Sequence, residues 1–181
     1  MNVKSTAFFG CILSLLVLIV PAASWGQGNL RGQMLVNRLS NRCLDVSGAP
    51  GTRNGAPLIL YDCERSGMNP NGSPTDQMWE FTPQGFIRNT LSGRCLDVSG
   101  APGTLNSAPL ILWDCETDGR SISGKPTDQR WELLPSGHIR NRLSGRCIDV
   151  AGAPGTNNGA RLQLYDCEFN LRVTDQIWTR Y

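Results

Sequence analysis

The sequence holds a single histidine, His138, and nowhere two cysteines at C-x-x-C spacing. The thiolate and imidazole sets that bind zinc are therefore missing, no cofactor or metal is expected, and His138 reads as a lone turn residue. Nearly all the positive charge is arginine, and Arg42, Arg94 and Arg146 are spread along the chain, each just ahead of a cysteine, rather than gathered into a stripe. They read as solvated surface charge. With a formal net charge of only +2, a polyanion such as nucleic acid is a poor partner. Helical periodicity is scarce. Long apolar runs are absent but for Ala7 to Val20, which is shorter than the roughly 18 residues of a comfortable membrane span. It follows Lys4, breaks at Pro21 and precedes Ser24-Trp25-Gly26, a small-x-small processing site. Residues 1–26 are thus expected to be a secretory signal peptide and 27–181 one folded domain, with no membrane span in the mature chain. The protein is expected to be secreted, to the extracellular space or to the periplasm of a Gram-negative source.

What the chain does have is one unit written three times. Cys43, Cys95 and Cys147 recur every 52 residues, as do Asn37, Asn89 and Asn141. Each copy runs Cys-[Leu/Ile]-Asp-Val, then a leucine-bearing segment ending [Tyr/Trp]-Asp-Cys, then Asp-Gln-x-Trp. Beyond the leader there are six cysteines, an even number suited to an oxidising compartment. Cys43 and Cys63, Cys95 and Cys115, and Cys147 and Cys167 each stand 20 residues apart. Of the 15 pairings that six cysteines allow, the one that respects the repeat joins these pairs. Turn signals such as Gly48-Ala49-Pro50-Gly51, Asn54-Gly55 and Pro83-Gln84-Gly85 divide each copy into about four short strands. Three copies are too few for a propeller, and a solenoid would need capping units. A closed all-β structure with threefold symmetry is expected.

Alternation places Leu58 and Leu60 inward, with Ile59 and Tyr61 on the other face; Gln163 beside Tyr165 marks that face as accessible in the third copy. Trp79, Trp131 and Trp178 are expected in the core, and Gln77, Gln129 and Gln176 bonded to backbone or steadying an aspartate. If Cys43 and Cys63 face each other across an antiparallel ladder, Asp45 falls opposite Tyr61, Asp97 opposite Trp113 and Asp149 opposite Tyr165. A carboxylate beside an exposed ring suits a pyranose: the ring covers its C–H face and the acid accepts from its hydroxyls. The plainer alternative is that each Asp caps a turn and each ring shields its disulfide.

Three in-register sets of these linked motifs, from Leu35 to Trp178, resemble the ricin B-type β-trefoil lectins. The resemblance implies a six-stranded barrel closed by three hairpins, with one sugar pocket per repeat for galactose-like or related glycans. It makes Asp45, Asp97 and Asp149 the pocket acids and Tyr61, Trp113 and Tyr165 the stacking rings. The family's polar residue two before the ring survives only as Gln163, its counterparts being Ile59 and Ile111. Its usual Asn before the Gln is Asp76, Asp128 and Asp175, completing a carbohydrate set with Gln77, Gln129 and Gln176. The segments Glu64 to Thr75 and Glu116 to Thr127 are five residues longer than Glu168 to Thr174, enough to shape or obstruct their pockets.

A non-catalytic lectin is the leading reading, with the third repeat as its best site. A glycosidase would need a pair such as Asp45 with Asp76 or Asp149 with Asp175, one member held protonated by burial. The expectation is that these acids stand on a shallow exposed face, which disfavours it. A trefoil that binds or inhibits a protein, without functional sugar sites, is the alternative. A separate toxin or hydrolase chain as partner is not specified by the sequence.

Overall fold

The computed structural model describes Met1 and residues 32–181; the expected leader and its processing site lie outside the described residues. Each repeat contributes four antiparallel strands, as its turn signals require. The first supplies β1 (Leu35–Asn37), β2 (Cys43–Val46), β3 (Leu58–Tyr61) and β4 (Trp79–Phe81). The second supplies β5 (Ile87–Asn89), β6 (Cys95–Val98), β7 (Ala108–Trp113) and β8 (Trp131–Leu133). The third supplies β9 (Ile139–Asn141), β10 (Cys147–Val150), β11 (Leu162–Tyr165) and β12 (Trp178–Arg180).

The last strand of each repeat pairs with the first strand of the next, β4 with β5, β8 with β9 and β12 with β1. Bridges Gln33 to Trp79, Phe86 to Arg130 and His138 to Ile177 join the outer strands within each repeat, so the ring closes. Hairpins β2–β3, β6–β7 and β10–β11 meet through Gln163 to Pro109, Pro57 to Ile111 and Ile59 to Arg161. This is a β-trefoil. No helix among the described residues is long and apolar enough to cross a membrane.

Alternation decides the core as expected. Leu58, Leu60, Leu110, Leu112, Leu162 and Leu164 point inward and are fully buried, joined by Leu44, Leu96 and Ile148 and by the three tryptophans. Trp79, Trp131 and Trp178 also donate their indole N–H groups to Leu44, Leu96 and Ile148 carbonyls. A buried indole donor would otherwise lack a partner. Asn37, Asn89 and Asn141 are buried between repeats, and their amides donate to the Asp175, Asp76 and Asp128 carbonyls. The three disulfides are Cys43–Cys63, Cys95–Cys115 and Cys147–Cys167, all within repeats.

The arginines depart from the expectation of solvated surface charge. Arg94 reaches back into the first repeat, donating to Asn54 Oδ1 and the Thr52 carbonyl, and pairs with Asp114 at 3.1 Å. Arg146 grips Asn106 and Thr104, and Arg42 grips Asn158 and Thr156 of the third repeat. The planar guanidinium can serve a carboxylate, an amide and a carbonyl at once. His138 is likewise no turn residue: it is 2% exposed, bridges to Ile177 just before β9, and stacks tilted against Phe169 at 4.9 Å.

Candidate functional site

The outer face of each cap hairpin carries the site residues, one strand supplying the acid and the next the ring. Their register differs from the expectation. Asp45 lies opposite Ile59, Asp97 opposite Ile111 and Asp149 opposite Gln163, while Tyr61, Trp113 and Tyr165 lie opposite the first cysteines. The cause is that Cys63 stands beyond the end of β3. The disulfide bridges from a residue outside the ladder, at a Cα separation of 5.1 Å, so cysteine spacing does not give strand register. Acid and ring are diagonal neighbours, about 7–8 Å apart by sheet geometry, which leaves room for a ligand to touch both.

In the third repeat the register brings the polar set together. Gln163 donates to Asp149 Oδ1 at 2.7 Å, and Gln176 donates to Asp149 Oδ2 at 2.9 Å. Gln176 also donates to the Asp166 carbonyl and accepts from the Glu168 amide. Both oxygens of the pocket acid are thereby aimed. Asp149, Gln163, Tyr165, Glu168 and Asp175 line one cavity of about 390 Å³, walled by Gly152-Ala153-Pro154, Leu171 and Val173.

The first two repeats build the same frame without the glutamine opposite the acid. Gln77 holds Asp45 and Gln129 holds Asp97, each also bonding the carbonyl before the second cysteine and the amide after it. A cavity of about 380 Å³ in the first repeat is lined by Asp45, Ile59, Tyr61, Glu64 and Asn69-Pro70-Asn71. The long segment therefore forms a wall of this pocket, tied across the rim by Asn71 donating to the Ala49 carbonyl at 2.6 Å. Ser123 makes the equivalent bond to Ala101 in the second repeat. Trp113 is half-buried, whereas Tyr61 and Tyr165 are exposed.

Asp76, Asp128 and Asp175 face inward. Each accepts from a glycine amide, Gly51, Gly103 or Gly155, at 2.5–2.6 Å. A Cβ on Gly51 would stand 2.6 Å from the Val46 carbonyl oxygen, so only glycine permits this approach. Gln77, Gln129 and Gln176, fully buried, hold the pocket acid, while the three aspartates tie down the glycine turn beside it and Asp175 also lines the third cavity.

The acids do not stand on a shallow exposed face. Asp45, Asp97 and Asp149 are 4–5% exposed and Asp76 is sealed. Burial pushes the Asp45 and Asp97 carboxyls up to about 8, and Asp76, Asp128 and Asp175 up to about 6. Burial raises Asp149 too, but hydrogen bonds from Gln176 and Gln163 oppose it. A raised carboxyl is one requirement of a glycosidase. In the first repeat the second carboxyl, Asp76, is sealed behind the first and does not line the cavity, whereas in the third Asp175 lines the cavity beside Asp149.

One acid per site escaped the sequence reading. Glu64, Glu116 and Glu168 follow the second cysteine in every copy, and each packs with the two aspartates of its site. Their recurrence was visible; their inward direction was not.

Residues 31–178 match the family model of the ricin-type beta-trefoil lectin domain. The chain belongs to this family. Its lectin domain is a carbohydrate-binding fold. It is 36% identical over 140 residues to polypeptide N-acetylgalactosaminyltransferase 6 of Mus musculus, covering 77% of this chain and 18% of the enzyme. It is 31% identical over 149 residues to the galactose/N-acetylgalactosamine-binding lectin CEL-III of Pseudocnus echinatus, covering 74% of this chain and 28% of that lectin. The chain thus spans under a third of the length of these relatives. Among solved structures, the designed threefold-symmetric protein ThreeFoil superposes with a TM-score of 0.63 at 27% identity, covering 82% of this chain and 96% of that one.

Proposed function

We propose that this chain is a secreted, non-catalytic lectin for galactose-like or related glycans, with up to three pockets and the third repeat as the strongest. The observation that carries the reading is the Asp149–Gln163–Tyr165 grouping in one cavity. Asp149 is held by two amide donors, which favours its charged, accepting form. Gln163 keeps its own amide oxygen for a hydroxyl, and Tyr165 offers a stacking face. Asp45 and Asp97 have an isoleucine opposite them instead, and at neutral pH burial favours their protonated form.

A monosaccharide of a dozen heavy atoms, at about 0.3 kcal/mol per atom, binds near millimolar. Several sites on one rigid body raise avidity by roughly 10² to 10⁴ on a surface dense with sugar. Asp45→Ala, Asp97→Ala and Asp149→Ala, each checked for folding by circular dichroism, should be titrated with galactose by NMR. Loss of the tightest site in Asp149→Ala is expected; its survival there and loss in Asp45→Ala would refute the ranking. Absence of binding across a glycan array would leave a protein-binding trefoil as the better reading.

A further inference from the structure

The first repeat contains a cluster that carbohydrate binding does not account for. Asp45, Glu64 and Asp76 each present a carboxylate oxygen, and the three oxygens lie within 4.8 Å of one another. Glu64 is 8% exposed and Asp76 not at all, yet Glu64 Oε2 and Asp76 Oδ1 are buried without a hydrogen-bond partner. Among the described residues, no ion pair involves any of the three. The donors present are the Gln77 amide on Asp45 and the Gly51 amide on Asp76. Unpartnered carboxylate oxygens buried against one another are costly unless a positive charge joins them.

We propose that this cluster is a divalent-cation site, suited to Ca²⁺, on the floor of the first pocket. The donor chemistry is all hard oxygen, which suits Ca²⁺ or Mg²⁺ and not zinc. Calcium–oxygen bonds of about 2.3–2.6 Å put opposed ligands about 5 Å apart, so oxygens spaced within 4.8 Å can bracket the ion with little movement. Magnesium, at about 2.0–2.1 Å, would require the set to contract further and to hold octahedral angles. Asp45 and Glu64 line the open cavity, which gives the ion an entry path and room for water to complete its shell.

The repeats differ at this point for a stated reason. In the third, Gln163 donates to Asp149 Oδ1 and both Asp175 oxygens accept backbone amides, so amide donors serve the acids where the first repeat has Ile59. In the second, Glu116 Oε2 is likewise buried without a partner, but no Asp128 oxygen is, so only the first repeat sets two such oxygens against each other. The cation therefore belongs to the first repeat.

The test needs no sugar, so its outcome is independent of the carbohydrate reading. The full chain, stripped with EGTA and dialysed, is titrated with CaCl₂ by isothermal calorimetry. One ion per chain is expected with Kd of about 10⁻⁴ to 10⁻³ M, the range of extracellular calcium modules. Glu64→Gln should weaken it at least about tenfold, and Glu168→Gln should leave it unchanged. Glu64→Gln removes a buried like charge and is expected to fold. The wild-type titration stands without it: no heat up to about 10 mM Ca²⁺, a range well above that Kd, overturns the proposal. Binding that survives Glu64→Gln, or that is lost in Glu168→Gln, overturns it as well.

Discussion

Replacing Gln129 with leucine isolates what the Gln-x-Trp glutamine does. Gln129 is fully buried; its Nε2 donates to Asp97 Oδ2 at 2.7 Å and to the Asp114 carbonyl at 3.0 Å, and its Oε1 accepts from the Glu116 amide at 2.8 Å. Leucine fills similar space but serves none of these groups. Each buried polar group left unpaired costs about 1–3 kcal/mol, and the added apolar burial returns roughly 1–2 kcal/mol. Three such groups, less that return, leave a net loss of roughly 1–8 kcal/mol with a midpoint of about 4, in the range that marks a broken buried network. For a domain of this size, about 2–4 °C per kcal/mol puts the midpoint fall in Tm at roughly 8–16 °C. The assay is a circular dichroism melt of the oxidised protein, with Gln84→Leu on an exposed turn as control. A Gln129→Leu melt that overlays the control would show that the glutamine is not a support and restore it as a candidate sugar contact.

Trp131→Ala, at a site 1% exposed and bonded to the Leu96 carbonyl, should cost about 3–5 kcal/mol; an unchanged Tm would contradict its place in the core. Gln163→Ile copies Ile59 and Ile111 into the third site and should weaken galactose there by about two- to twelvefold, the equivalent of one neutral hydrogen bond. Tyr165 ring shifts in an NMR titration read this directly, and unchanged affinity would remove Gln163 from the binding set. The Asp97 carboxyl is pushed up to about 8 in the folded chain, chiefly by burial and next by the Asp128 charge, from its ordinary value of 3.8. The folded state therefore holds a proton that the unfolded state has released, and stability falls as pH rises from about 4 through about 8. In EGTA, Tm should be lower at pH 8.5 than at pH 5, and Asp97→Asn should narrow the gap; a wider gap in the variant would reverse the sign.

The repeat carried most of the fold into view, because strands, turns and disulfides each depend on residues within about 20 positions of one another. Leu58 and Leu60 against Ile59 and Tyr61 sorted correctly, since a pleated strand has only two faces. Register failed at Cys63, where a disulfide reaches past the strand end and so says nothing about which residues are opposed. Burial of Asp45 was hidden because it comes from loops folding over the hairpin, Gly48-Ala49 on one side and Asn69 to Asn71 on the other. The arginine contacts were out of reach for another reason: Arg94 meets Thr52 and Asn54, 42 and 40 residues earlier, and periodicity does not record which repeat faces which.

The ring of arginines has a consequence for chain order. Each grips the repeat behind it, and Arg42 grips the third, just as β1 pairs with β12 and Met34 and Tyr181 exchange backbone bonds. The gap between β12 and β1 therefore occupies the place that the Pro83-Gln84-Gly85 turn fills between β4 and β5. The molecule is a circle drawn with an open string, in which no repeat is first. Cutting at that turn and joining residue 181 to residue 33 through a two-residue linker, so that Gln33 takes the place of Gly85, would give a circular permutant, read second, third, first, with every strand partner and every arginine grip retained.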